Sequence, residues 1–392
     1  MGSRAAIRTH DDQTRGFCPG LVPGLAQSTQ LGRSSCSLPH CPPASAALLP
    51  ISPPPLLPQM KAVIPVAGIG SRLRPHTHTQ PKSLVPVAGN TILGHIIDRL
   101  QAAGLTEFVF IVGYLGDKIV RYVRRTYPNL QATFVVQEPR EGIGHALWLA
   151  REEFRHDPDG VLIMLGDTIV DVDLPALLAT PGSVLAVKEV KTPSMFGLVE
   201  TGTNGRVSKV VEKPKIPKSN HALVGLYKLA YPEQLALALE WLHDSDQRTH
   251  GELQLTDALM HLIEEGEVMT TCPVDNWFDC GRKDTLLEAN ARLLNRPEFL
   301  EPREYPEFPD AVIIPPVSIG RGCQISHSII GPNVAIGDKT IIKNCIVSDS
   351  IIGTYSELRS AVMHDCIVGS DASFRGMNHS LNIGDNTEID YN

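Results

Sequence analysis

Long hydrophobic runs are missing from this sequence. No stretch approaches the about 18 consecutive apolar residues of a membrane-spanning helix, so no membrane association is expected. Cysteine is sparse, 8 in 392 residues, and no two form a tight CxxC pair. This argues against a disulfide framework or a cysteine zinc site and makes a reducing, cytoplasmic setting the expectation. A basic excess is missing too: Lys+Arg number 35 against 43 Asp+Glu, a net charge of −8. A nucleic-acid partner is therefore not expected. An anionic small ligand is still allowed, because a local pocket can be basic on an acidic protein. Nor does any Ser, His and Asp set stand out as a nucleophile triad.

Periodicity is what residues 1–59 lack. They hold 10 of the 31 prolines and 3 of the 8 cysteines, with Pro53-Pro54-Pro55 near their end. Such a segment buries too little apolar area to offset its ordering entropy. Prolines interrupt the apolar core that a signal peptide needs, near Leu48–Leu57. The expectation is a disordered leader ahead of a translation start at Met60.

From Met60 strands and helices alternate. Lys61–Val66 has the character of a buried strand. In Thr91–Ala103, Ile92, Leu93, Ile96, Ile97 and Leu100 share one helical face, and Gly104 is placed to cap it. Strands at Phe108–Val112, Ala132–Gln137 and Val161–Leu165 are separated by helices at Lys118–Arg125 and Gly144–Phe154. Shorter strands follow at Val184–Val190, Leu198–Glu200, Val207–Val211, Leu223–Leu229 and Val268–Pro273, with helices at Pro232–His243 and Leu255–Glu265. This order predicts an α/β domain with a doubly wound, mostly parallel sheet, which binds ligands at the carboxyl ends of its strands. Beyond about residue 300 the helical period gives way to Ile/Val-Gly pairs, Ile319-Gly320, Ile330-Gly331, Ile336-Gly337, Ile352-Gly353, Val368-Gly369 and Ile383-Gly384. A repeat of about 16–18 residues predicts a parallel β-helix rather than a β-sandwich. Pro315-Pro316 would mark the junction. The expected divisions are 1–59, 60–300 and 301–392.

The strongest local motif is Ala67-Gly68-Ile69-Gly70-Ser71-Arg72-Leu73, directly after the first strand. Its glycines would let backbone N–H groups approach phosphate, Ser71 adds a hydroxyl, and Arg72 adds a planar charged fork. It has neither GxGxxG nor P-loop spacing. Pro81-Lys82 follows ten residues past Arg72, so Lys82 could return to the same phosphates. Leu165-Gly166-Asp167 ends an apolar strand, and Trp277-Phe278-Asp279-Cys280-Gly281 supplies a second aspartate. Two distant carboxylates can share one Mg²⁺, whose shell phosphate and water complete. Taken singly, each motif has a plain reading: a tight turn, a surface lysine, a capping aspartate. Arg121, Arg124 and Arg125 read as a solvated basic face, and Trp241, Trp277 and His145 as packing residues.

Together and in order, these motifs resemble the sugar-1-phosphate nucleotidylyltransferases, especially glucose-1-phosphate thymidylyltransferases and UTP–glucose-1-phosphate uridylyltransferases. The matching stretches are Ile64–Leu73 with Pro81-Lys82, Gln137 with Gly142–Ala146, Leu165–Asp167, Glu212–Pro214 with Ser219–Tyr227, and Trp277–Gly281. The resemblance implies a Rossmann-like sheet followed by a short left-handed β-helix. It implies that Ala67, Gly68, Gly70, Ser71 and Arg72 hold the triphosphate and that Lys82 contacts the reacting phosphates. Gln137 and Gly142 would take the base, and Asp167 and Asp279 would hold Mg²⁺. Gly197 and Glu212 would bind sugar hydroxyls, Lys213 the sugar phosphate, and backbone near Leu223 would line the sugar pocket. Ser71 replaces the commoner threonine, and Thr168 stands where thymidylyltransferases often have asparagine.

The implied reaction joins a sugar 1-phosphate, glucose 1-phosphate first, to dTTP or UTP and releases pyrophosphate. Such a substrate phosphate has a second pKa near 6 and needs no general base. The alternatives are GTP with mannose 1-phosphate, a non-catalytic nucleotide-sugar-binding regulator, and an added acyltransferase activity resting on His327, His364 or His379. A homo-oligomer is expected, because the last coil of a short β-helix leaves an open edge.

Overall fold

The computed structural model describes residues 60–297 and 308–376. The readings made for 1–59, for Ile383-Gly384 and for His379 lie outside these residues.

The strand Lys61–Pro65 is central in a nine-stranded mixed sheet. It pairs in parallel with Glu107–Val112 on one side and Val161–Met164 on the other, and Gln131–Val136 extends the sheet in parallel. On the far side His221–Leu229 runs antiparallel to Val161–Met164 and branches to Ser183–Glu189 and Leu198–Thr201. Met269–Pro273 pairs in parallel with Ser183–Glu189.

Alternation along the central strands feeds two cores. Ala62, Ile64, Phe108, Phe110, Leu162 and Met164 face one cluster, while Val63, Val109, Ile111, Val161 and Ile163 face another. Such strands are buried on both faces, so they read as continuous apolar runs. Helices cover each face because their apolar stripes must also be buried. Ile92–Ala102, Gly116–Thr126 and Lys283–Leu294 lie on the first, and Ile143–Leu149, Pro232–Asp244 and Leu255–Glu264 on the second. Thr91 caps the helix Ile92–Ala102, its hydroxyl accepting from Gly94 N–H at 2.9 Å. The helix expected over Gly144–Phe154 stops at Leu149 and continues as a 3₁₀ turn, Arg151–Glu153.

Two elements not foreseen in the sequence decide the site. Thr168–Asp171 and Asn276–Asp279 form a separate antiparallel ribbon in which Thr168 lies opposite Asp279. The helix Lys283–Leu294 follows it.

Residues 311–375 form three ladders of stacked parallel strands, three residues or fewer each, which fit a left-handed parallel β-helix. Val317 stacks under Val334, and Ile351 under Ile367. Their inward side chains, among them Val317, Ile330, Val334, Ile342, Val347 and Leu358, make a third core. Pro315-Pro316 does not mark the junction. Ala311–Ile313 already pairs with Ser328–Ile330, which puts the prolines inside the first coil. The coils pack on the α/β domain through Asn290, which is fully buried: its Oδ1 accepts from Ala88 N–H at 2.9 Å and its Nδ2 donates to Asn333 O at 2.8 Å. No helix among the described residues is long and apolar enough to cross a membrane.

Candidate active site

The carboxyl ends of Lys61–Pro65 and Val161–Met164 emerge side by side, with Gly166 N–H donating to Pro65 O at 3.2 Å. The two loops that follow, Ala67–Ser71 and Leu165–Asp167, therefore border the same cleft of about 500 Å³, while Arg72 and Asp279 stand beside it rather than in its lining. Parallel pairing dictates this, since it puts like ends of neighbouring strands at one edge.

In the glycine loop, Leu73 N–H donates to Gly70 O and Arg74 N–H to Ser71 O. The amides of Gly68 to Arg72 have no backbone acceptor among the described residues. Gly70 adopts φ +68°, and a Cβ there would come within 2.8 Å of Lys82 Cβ. Glycine is thus required twice, for its left-handed backbone and so that Lys82 can pass behind the loop. A Cβ on Gly68 would meet nothing within 4 Å, so the loop opens into space.

Lys82 is buried, and its ammonium lies 2.6 Å from Asp167 Oδ2 and 3.6 Å from Asp279 Oδ1. Arg72 Nη1 lies 3.8 Å from Asp279 Oδ2. The ribbon brings the aspartates together, with Cys280 N–H donating to Asp167 O at 3.1 Å. The side chains of Arg72, Asp167 and Asp279 keep 60 %, 38 % and 26 % of their surface exposed, which leaves the cluster open to a ligand. Burial pushes the Asp167 carboxyl up. The Lys82 charge and hydrogen bond, the Thr168 hydroxyl at 3.2 Å and Arg72 outweigh it, and the group titrates below its ordinary value. Thr168 thus still makes a polar contact where asparagine is commoner.

Gln137 is buried in the cleft wall. Its Nε2 donates to Gly142 O at 2.9 Å and lies 3.4 Å from His145 Nδ1, which leaves Oε1 as the free acceptor. Gly142 has φ +107°, and a Cβ there would come within 2.4 Å of Leu253 O. That contact, with the backbone angle, requires glycine at 142.

Gly197, Glu212 and Leu223 gather beside Thr256. A Cβ on Gly197 would meet Glu212 Oε2 at 2.9 Å, Thr256 Cγ2 at 3.2 Å and Leu223 Cδ1 at 3.3 Å. Leu223 N–H donates to Gly197 O and Lys213 N–H to Phe196 O, and Lys213 Nζ pairs with Glu212 Oε1 at 3.1 Å. This group does not line the cleft itself. It adjoins it across buried Tyr227, whose hydroxyl is pushed up by burial and then by the charges of Glu212 and Asp167.

Sequence reasoning named Gly281 within a motif but gave it no role, and it missed Thr256, Arg140 and Glu252. The last two line the cleft but read locally as ordinary loop charges. Gly281 is the most informative. A Cβ there would meet Asp279 Oδ1 at 2.7 Å, Lys82 Nζ at 2.9 Å and Arg72 Nη2 at 3.0 Å, so it marks where the charged side chains converge.

A glycine loop, two cations and two carboxylates thus converge at the switch edge of an α/β sheet that is joined to a β-helix. A family profile described as nucleotidyl transferase matches residues 61–296, and the chain belongs to that family. The glucose-1-phosphate thymidylyltransferase of Streptomyces antibioticus is 32 % identical over 320 residues, covering 74 % of this chain and 85 % of its own. The low-salt glycan biosynthesis nucleotidyltransferase Agl11 of Haloferax volcanii is 36 % identical over 243 residues, 60 % of this chain and 66 % of its own. The bifunctional protein GlmU of Methanocaldococcus jannaschii is 37 % identical over 237 residues, 60 % of this chain and 55 % of its own. Among solved structures, a Bacillus anthracis protein assigned as a glucose-1-phosphate thymidylyltransferase, crystallised with sucrose, superposes with TM-score 0.53 at 27 % identity. It covers 60 % of this chain and 96 % of its own. A UDP-glucose pyrophosphorylase bound to UDP-glucose shares the fold at TM-score 0.51 and 23 % identity, with coverages of 60 % and 99 %.

Proposed function

We propose that the protein transfers a nucleotidyl group from dTTP or UTP to a sugar 1-phosphate, glucose 1-phosphate first, and releases pyrophosphate. The observation that carries this reading is the contact of one buried ammonium, Lys82, with both Asp167 and Asp279 beside a glycine loop whose Gly68 to Arg72 amides have no backbone acceptor among the described residues. The substrate phosphate is largely dianionic at neutral pH and attacks the α-phosphorus without a general base. The protein's work is then positioning and charge neutralisation. The loop amides and Ser71 receive the triphosphate, and Arg72 and Lys82 offset charge on the reacting and leaving phosphates. Glu212 and the space over Gly197 receive the sugar hydroxyls, with Lys213 at the sugar phosphate.

Mg²⁺ belongs to this proposal, held by Asp167 and Asp279. Among the described residues no three His, Cys, Asp or Glu side chains form a metal cage. Two hard carboxylates suit an ion that takes the rest of its shell from phosphates and water. When bound it would supply neutralisation of phosphate charge. The preference for a pyrimidine is supported by the free Oε1 of Gln137, which can accept from the N–H of an imide edge. Guanine carries an N–H at its corresponding edge, so GTP belongs in the test. Self-association is part of the proposal too. It is supported by a row of outward apolar side chains, Val312, Ile329, Ile346 and Val362, stacked in register on one face of the β-helix.

The test is pyrophosphate release over a matrix of dTTP, UTP, GTP and ATP against the 1-phosphates of glucose, mannose and N-acetylglucosamine. The expected result is turnover with glucose 1-phosphate and dTTP or UTP. No turnover with any pair refutes the proposal, and a preference for GTP with mannose 1-phosphate refutes its substrate assignment.

A further inference from the structure

His145 is buried next to Gln137 but does not line the cleft, although Gly142, Ile143 and Ala146 around it do. The sequence alone marks it as a packing residue, and it does pack. Its ring stacks on Trp148 with centroids 5.7 Å apart, and Trp148 stacks in turn on His243 at 3.6 Å. Stacking holds the plane of the imidazole and leaves its two nitrogens to be accounted for. Nδ1 lies 3.4 Å from Gln137 Nε2, and the ring hydrogen-bonds the backbone of Pro139. A proline has no N–H, so its backbone offers only a carbonyl, and the imidazole must donate to it. Burial, foremost, holds the imidazole below its ordinary value. The charges of His243 and Arg248 act the same way and, with burial, outweigh Glu141 and the Pro139 bond. A neutral ring carries a single N–H. Given to Pro139, it leaves Nδ1 a bare acceptor facing the Gln137 amide.

Gln137 therefore meets two acceptors, Gly142 O at 2.9 Å and His145 Nδ1, both at the start of the helix Ile143–Leu149. Together they engage both hydrogens of the amide nitrogen and leave Oε1 for a ligand. Gly142 O alone engages only one. Without Nδ1 the other hydrogen is unpaired in a buried wall, a cost that the amide relieves by turning it toward the ligand. An amide so turned shows the base a donor as well as an acceptor.

We propose that His145 sets base choice by locking Gln137 as a pure acceptor. The site then takes pyrimidines that carry an imide N–H, uracil or thymine, and rejects cytosine, whose ring nitrogen at that edge is itself an acceptor. His145 is thus a positioning residue that acts through Gln137, and the inference rests on the reading of Gln137 as the base-binding group.

The test is calorimetric titration of the full chain with two pairs of nucleotides that differ only at that edge, UTP against CTP and dTTP against 5-methyl-dCTP. Both pairs are run on wild type, His145→Phe, His145→Leu and His145→Asn. Phenylalanine keeps an aromatic ring for Trp148 and removes the acceptor, whereas asparagine gives up the stack and keeps an acceptor at the δ position. Wild type is expected to bind the imide member of at least one pair about tenfold more tightly, the factor that 1.4 kcal/mol gives. His145→Phe and His145→Leu are expected to bring that ratio close to unity, and His145→Asn to hold it. The ratio compares two ligands on one protein, so a loss of folded material leaves it in place. A packing role gives the reverse order, with phenylalanine best and asparagine worst, and that order overturns the proposal. So do a ratio kept in both His145→Phe and His145→Leu, a ratio lost in all three variants, and a wild type that separates neither pair. Binding is read without turnover, so a chain that separates the pairs but joins no substrates fails as the proposed enzyme while the role of His145 stands.

Discussion

A methyl group at position 281 would fall within 3.0 Å of Asp279, Lys82 and Arg72 together. Gly281→Ala is therefore expected to displace the cation–carboxylate cluster and lower turnover by about 10²–10³, the usual effect of losing one preorganised electrostatic contact. Thermal unfolding should stay close to wild type, since the clash is met by the ends of side chains and not by backbone. Steady-state kinetics with a thermal melt checks both. The pH dependence is also a matter of single groups. Asp167 titrates below its ordinary 3.8, so its ion pair contributes fully above that value and is lost only as pH falls through the depressed one. The acid limb of the rate is thus expected near pH 6, where the substrate phosphate gains a proton. It should move upward when the sugar phosphate is exchanged for its phosphonate. A limb near pH 4 contradicts this assignment. The glycine loop and the two aspartates were legible by type and by position after apolar strands, and Lys82 only through its spacing from the loop. Gly281 was not, because its role depends on atoms from three distant stretches.

At the scale of elements, the ribbon of Thr168–Asp171 and Asn276–Asp279 unites the carboxylates. Asp171 anchors it, pairing with Arg99 at 2.9 Å and with Arg296 and accepting from Asn276 Nδ2 at 3.1 Å. Asp171→Ala is expected to cost about 2 kcal/mol of stability, as charged hydrogen bonds of this kind do, and to weaken Mg²⁺ activation. Denaturant unfolding and a metal titration measure the two effects. Neither strand was foreseen, because four residues are too few to show a period and the partners lie more than a hundred residues apart. The central strands were foreseen to within a residue or two because their two-sided burial makes them apolar throughout. The helix Lys283–Leu294 escaped notice for a different reason: buried Asn290 interrupts the stripe of Leu286, Ala289 and Leu293.

For the molecule as a whole, that asparagine joins the β-helix to the α/β core. Ile351 of the coils belongs to the main core cluster, so the two packings are continuous. Asn290→Ala leaves Ala88 N–H and Asn333 O without their partner. It is expected to cost about 2–4 kcal/mol, one to two for each orphaned group. Differential scanning calorimetry should show a lowered midpoint. An unchanged midpoint would mean that the interface is wet and weak. The β-helix itself was legible from its Ile/Val-Gly repeat, whereas its seat on the other domain depends on a polar residue that no local pattern marks.

The most direct trial of the account is pyrophosphate release against Mg²⁺ concentration for wild type, Asp167→Asn and Asp279→Asn. One shared site predicts a metal requirement in wild type and losses of about 10²–10³ in both variants. Undiminished turnover in either variant, or in wild type stripped of divalent ions, would contradict it.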